Sequence, residues 1–122
     1  MILDLFNPSL DYLVNRPVGE ELPEGPPFTL PDGRHVARTF RIAAQDRFSQ
    51  VNDVELIYSW SLNGRDEREV HSFRMRYLFR YEAEHLLARS GFAVDALYAG
   101  YDRSAFGSTY PGELIFVARK AA

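Results

Sequence analysis

The tightest constraint on this chain is the dipeptide Asn63-Gly64, which separates two long runs of alternating residues. Both positions of a two-residue type I′ turn need positive φ, and Asn-Gly accepts that conformation readily. Before it, residues 50–62 alternate through Val54, Leu56, Tyr58, Trp60 and Leu62. After it, residues 65–79 alternate through His71, Phe73, Met75, Tyr77 and Phe79. A turn this short fixes the register, setting Leu62 against Arg65, Leu56 against His71 and Val54 against Phe73. The two sets then share one face, so turn chemistry and hydrophobic pattern agree. Ile57 and Val70 fall on the other face, among serines and arginines. A third run, residues 35–44, carries Val36, Phe40 and Ile42 on one side. Three antiparallel strands are expected.

The flanks read differently. Residues 1–6 (MILDLF) are almost wholly apolar, which suits a strand covered on both faces, as in a parallel sheet. Asn7 can cap a short helix with Pro8 at its first position. Residues 16–34 hold Pro17, Pro23, Pro26, Pro27 and Pro31, which forbid regular hydrogen-bonded structure and predict a long loop. Residues 81–90 predict a helix with Ala83, Leu86, Leu87 and Ser90 on one side, stopped by Gly91. Two more strands are expected, over residues 92–99 and 113–119. The expected organisation is a single domain over residues 1–122. Its parts are a strand and short helix (1–15), a Pro-rich loop (16–34), an antiparallel insertion (35–79), and a helix with the last two strands (80–122).

Composition bounds the function. The chain has 122 residues, 46% hydrophobic and 25% charged, with a formal charge of -3. The acidic balance argues against general nucleic-acid binding. The absence of Cys excludes disulfides and thiolate metal sites. No apolar run approaches the ~20 residues that span a bilayer. The opening residues show no basic region and no small-residue cleavage site, so the expected compartment is the cytoplasm.

Two stretches carry a family resemblance. Residues 79–92 (FRYEAEHLLARSGF) place an aromatic before a short helix with a Glu-x-Leu-Leu core, closed by Gly-Phe. Residues 97–102 (LYAGYD) and 114–120 (LIFVARK) then follow in order. This succession resembles the C-terminal part of class I S-adenosylmethionine-dependent methyltransferases acting on small molecules. The loop departs from the family, with Ala99 and Gly100 where Gly and Asp are common. Residues 1–8 (MILDLFNP) resemble the family's fifth sheet strand. The resemblance implies an α/β, Rossmann-like sheet remnant, or α+β in isolation. Residues 1–6 and 92–99 would be parallel strands with residues 113–119 antiparallel between them, and the middle strands an inserted sheet near the acceptor pocket.

The family holds its cofactor on a Gly-rich turn after a first strand, with an acidic residue gripping the ribose. The eight glycines here are dispersed and form no Gly-x-Gly. S-adenosylmethionine is the family's cofactor, yet none is expected on this chain alone. The opening strand's missing neighbour implies a partner, either a second copy in a homodimer or a separate N-terminal half.

Candidate acceptor contacts are Asn7, Tyr12, Arg76, Tyr101 and Asp102. Asn7-Pro8 resembles the Asn-Pro-Pro-aromatic motif of amino-group methyltransferases, although Ser9 and Leu10 replace its second half and a helix cap explains it equally. Tyr101 and Asp102 lie past a strand end, where open α/β sheets place ligands. Arg74, Arg76 and Arg80 form a basic line that fits an anionic group or simple edge protection. Tyr58, Trp60, Tyr77 and Tyr98 fit sheet core as well as a pocket. His71 fits a rim position better than a catalytic base, and His35 and His85 share no metal-ligand spacing with it, so no metal is expected. No catalytic residue is assigned. Two functions remain open at this point: the acceptor side of a methyltransferase, inactive without its other half, and a standalone α+β module binding a small molecule or a protein. A nucleic-acid module using Arg74, Arg76 and Tyr77 is a weaker third.

Overall fold

A computed structural model describes all of residues 1–122. Its elements in chain order are β1 (Ile2–Leu5), α1 (Leu10–Asn15), β2 (Leu22–Pro23), β3 (Phe28–Thr29), β4 (His35–Asp46), β5 (Val51–Leu62), β6 (Arg65–Arg76), α2 (Arg80–Arg89), β7 (Phe92–Tyr98) and β8 (Leu114–Lys120). The fold is mixed α+β, its strands mostly antiparallel and held in two sheets. The chain divides into two compact units, one of residues 1–16 with 77–122, the other of residues 17–76.

The second unit grows from the hairpin. Asn63 and Gly64 take φ of 52° and 77°, and Leu62 pairs with Arg65, Leu56 with His71 and Val54 with Phe73. β4 joins the other side of β5, with a bulge between Ile42 and Ala44. The sheet is larger than the three strands expected, because the Pro-rich segment adds two short ones. Leu22 and Pro23 pair with Phe40 and Thr39, and Phe28 and Thr29 pair with Val36 and His35. Proline removes only its own donor. The N–H of Glu24 still reaches the Arg38 carbonyl at 2.9 Å, and that of Gly19 the Ile42 carbonyl at 2.7 Å.

That segment also changes which sheet face is buried. Val36, Phe40, Ile42 and Val54 are buried as the alternation expects, but so is Ile57 on the face read as polar, at 1% exposure. Glu21 ties the segment to this face. Its carboxylate accepts from Thr39 Oγ1 at 2.5 Å on β4 and from the Arg68 guanidinium at 3.0 Å on β6. Thr39 is the β4 neighbour of Ile57, and Val70 its β6 neighbour. The β6 strand ends at Arg76 rather than running to Phe79.

In the first unit, β8 lies between β1 and β7 and is antiparallel to both. β1 and β7 therefore point the same way. Leu3 stands against Phe116, Leu5 against Leu114, and Leu97 against Phe116. Ala83 and Leu87 of α2 pack on this face with Leu114 and Phe116, all at most 5% exposed. Each such leucine contributes roughly 1.5–3 kcal/mol of hydrophobic stabilisation. α2 ends where Gly91 takes φ of 87°, and its Leu86 is half-exposed, on the solvent side of the buried stripe. β1 is not covered on both faces: Leu3 and Leu5 are half-buried, whereas Ile2 and Asp4 are exposed. Its only strand neighbour is antiparallel, and its outer edge carries no strand. No helix is long and apolar enough to cross a membrane.

Candidate functional site

The sequence candidates separate between the two units. Asn7, Tyr12, Tyr101 and Asp102 belong to the first and Arg76 to the second. Within the first unit, β1 and β7 both end where β8 begins, and the loops beyond these ends meet. The N–H of Glu113 donates to the Ala99 carbonyl at 2.7 Å, and Asn7 Nδ2 donates to the carbonyls of Pro111 at 2.7 Å and Gly112 at 3.2 Å. Asn7 therefore clamps a loop and is not the helix cap. That role falls to Ser9, whose Oγ accepts from the Tyr12 N–H at 3.0 Å.

Tyr12 stacks edge-on against Phe6 at 5.3 Å, with the Arg16 guanidinium 5.1 Å from its ring centre. Tyr101 keeps its ring in solvent and donates its hydroxyl to the Asp4 carboxylate. That bond, reinforced by the charges of Asp4 and Glu113, pushes the phenol above its ordinary value. Asp102 accepts from the Ser104 N–H at 3.0 Å, and this bond holds its carboxyl below the usual range. A Cβ at Gly100 would stand 2.8 Å from Asp102 Oδ1, and 3.2 Å from Ser104 Oγ, so a larger residue there would push these side chains aside. These side chains share one edge of the sheet, at the carboxyl ends of β1 and β7, and most are spent on shaping the loops. Arg76 instead borders a shallow groove with Asp53 and Arg74, the latter paired to Asp53 at 3.2 Å.

The second unit holds a cleft where Tyr58 and Trp60, which fitted core or pocket from sequence, meet the Pro-rich segment. Phe28 and Leu30 come from the Pro-rich segment, Tyr58 and Trp60 from β5, and Glu69 and His71 from β6. They surround about 280 Å³. The pairing of Phe28 with Val36 carries the loop to the sheet, which converts part of a sheet face into a walled recess. Tyr58 and Trp60 are half-buried here rather than core. Arg34 roofs one end, its guanidinium 5.0 Å from the Trp60 ring centre and its Nε 2.8 Å from Asp32 Oδ2. His71 closes the other, edge-on to Tyr58 at 5.7 Å and 3.4 Å from Glu69 Oε1. His71 is thus a rim residue, more than half exposed. The available signal was the apolar triplet Phe28-Thr29-Leu30 amid prolines, since a solvated connector has no need of it.

Such a recess offers flat apolar walls, a cation, a carboxylate and an imidazole. It suits a small planar molecule bearing one or two polar substituents. No three His, Cys, Asp or Glu side chains are grouped as metal ligands would be. β1 reaches α1 through Phe6-Asn7-Pro8-Ser9, and β6 reaches α2 through Tyr77-Leu78-Phe79, neither of which contains glycine. The sequence matches no model of a known protein family. A search of curated proteins likewise finds no match.

Proposed function

We propose that this chain is the acceptor-side, C-terminal portion of a class I S-adenosylmethionine-dependent methyltransferase acting on a small molecule. The observation that supports the reading most is the strand order β1-β8-β7, with an antiparallel β8 between two strands that run the same way. A chain folding alone has a simpler option, a meander of neighbours in sequence order. The order here is the one expected of the family's last three strands, with α2 preceding β7. The remainder of the parallel sheet and its cofactor site would add along the free edge of β1. The absence of a Gly-x-Gly run supports limiting the chain's own contribution to acceptor binding, orientation and exclusion of water.

In this reading the acceptor lies in the cleft of Tyr58, Trp60 and Phe28. The two ring systems hold a planar molecule, Arg34 meets a polar or anionic substituent, and His71 stands where it can take a proton from an acceptor hydroxyl or amine. Calorimetry with S-adenosylhomocysteine tests the division of labour. The chain alone gives no binding heat, and micromolar binding would refute the assignment. Trp60 is the sole tryptophan, so its fluorescence reports on the cleft directly. Titration with a panel of substituted phenols and anilines should quench it, and the Phe28→Ala variant should lose the response.

A second reading, a standalone α+β binding module, is favoured by one observation: every wall of the cleft belongs to residues 17–76. Phenol quenching is expected of both readings, so the discriminating result is the partner: a chain that recovers no S-adenosylhomocysteine-binding protein from a cell extract would move the balance to the module.

A further inference from the structure

The outer edge of β6 is the largest unpaired backbone surface in the second unit. β6 runs for 12 residues at the end of the order β2-β4-β5-β6, and nothing pairs with its far side. Native sheets blunt such edges by shortening, bulging, charging or covering them, and of these devices β6 carries charge alone. This one is long, its register with β5 is unbroken from Val51–Arg76 to Leu62–Arg65, and its residues are exposed except for Met75. Val70 and Phe73 stay 47% and 42% exposed.

Its charges are uneven. Asp66, Glu67 and Glu69 lie in the first half with Arg65 and Arg68, whereas the second half holds only His71, Arg74 and Arg76. An antiparallel copy of the same strand reverses that order and so complements it. Because the turn is two residues long, Arg65 and every second residue after it direct their backbone groups to β5. Asp66, Arg68, Val70, Ser72 and Arg74 then turn theirs outward.

We propose that β6 pairs with β6 of a second copy about a two-fold axis at Val70. In this register Val70 faces its own counterpart with both outward hydrogen bonds made. Asp66 faces Arg74, Glu69 faces His71, and Arg68 faces Ser72. Same-face residues must pair in a sheet, so the axis can move only by whole residues along the strand, and the neighbouring choices are worse. An axis at His71 sets Arg68 against Arg74 and His71 against itself. An axis at Glu69 sets Glu69 against itself. The charge pattern therefore selects both the partner, a second copy of this chain, and the register. The arrangement is isologous and closed, so it uses up the exposed edge instead of propagating it. It is independent of the methyltransferase reading.

Sedimentation of the purified chain tests the proposal. A dimer is expected, weakening as salt rises. Val70→Pro removes the N–H at the axis while an edge strand tolerates the ring, so this variant should be monomeric with an unchanged circular dichroism spectrum. Asp66→Arg should raise the dissociation constant about tenfold, and the double variant Asp66→Arg/Arg74→Asp should restore it. The charge-swap series carries the test if Val70→Pro does not fold. A monomer at about 1 mM chain, where even millimolar interfaces associate, overturns the proposal. So does a dimer that ignores all of these changes, which would place the interface elsewhere, for instance along β1.

Discussion

The carboxylate of Glu21 lies 3.0 Å from the guanidinium of Arg68, 47 residues away along the chain, and the same carboxylate accepts from Thr39. This one side chain fastens the Pro-rich segment to Thr39 of β4, the strand neighbour of Ile57, and to Arg68 of β6. The Thr39 bond, with Arg68 second, holds Glu21 below the ordinary 4.5. A lowered folded-state value means that the stabilisation is present above the ordinary value and lost as pH falls through the lowered one. Glu21→Gln should therefore cost stability at neutral pH, at most about 1 kcal/mol because both partners are partly exposed. The gap between variant and native protein should close in strong acid. Urea midpoints at the two pH extremes measure it.

Ile57 is 1% exposed although its strand neighbours on that face are polar. Ile57→Ala should cost about 3 kcal/mol in chemical denaturation. Val70→Ala, one strand over on the same face but 47% exposed, should cost under about 1 kcal/mol. Equal costs would mean that the Pro-rich segment does not cover the sheet.

Asn52 is fully buried, and neither its Nδ2 nor its Oδ1 has a hydrogen-bond partner. A buried carboxamide left without partners carries its full desolvation cost. Asn52→Leu, close in volume and free of that cost, should raise stability by about 1 kcal/mol. Thermal unfolding would show it as a higher midpoint. A lower one would mean that the carboxamide meets a polar group.

Tyr101 should titrate above the ordinary 10.0, since its proton is held by Asp4 and ionisation would set two negative charges together. Asp4→Asn should bring the phenol back down, observed as an earlier rise of tyrosinate absorbance on alkaline titration. Because the folded-state value is raised, the stabilisation is complete below the ordinary value and is lost as pH rises through the raised one. Tyr101→Phe should be less sensitive to alkali over that interval.

Local rules with a strong chemical signature were legible in the sequence. Asn63-Gly64 fixed the hairpin and its register, and Gly91 ended α2. Each depends on a backbone conformation that few residues accept. What was not legible depends on distant partners. The prolines masked β2 and β3, since a two-residue strand needs only a few free donors and a receptive neighbour such as β4. The polar face of β5 hid a core residue because Glu21 ties a distant segment to this face, which no periodicity reveals. Asn7 was read as a helix cap, a role that Ser9 takes, because Pro111 and Gly112 offered its amide carbonyls across the chain. The cleft was half legible for the same reason: Tyr58 and Trp60 were visible as alternating aromatics that fit core or pocket, and the Pro-rich stretch as a long loop, but nothing in the sequence said that the two meet.

The sheet of the first unit is laced from the opening strand and the closing one, with β8 as the shared member. During synthesis, residues 17–76 emerge with all of their own pairing partners and can fold at once through near-neighbour hairpins. Ile2–Leu5 can make its pairing with β8 only once Leu114–Lys120 has left the ribosome, so this sheet closes last although its first strand is made first.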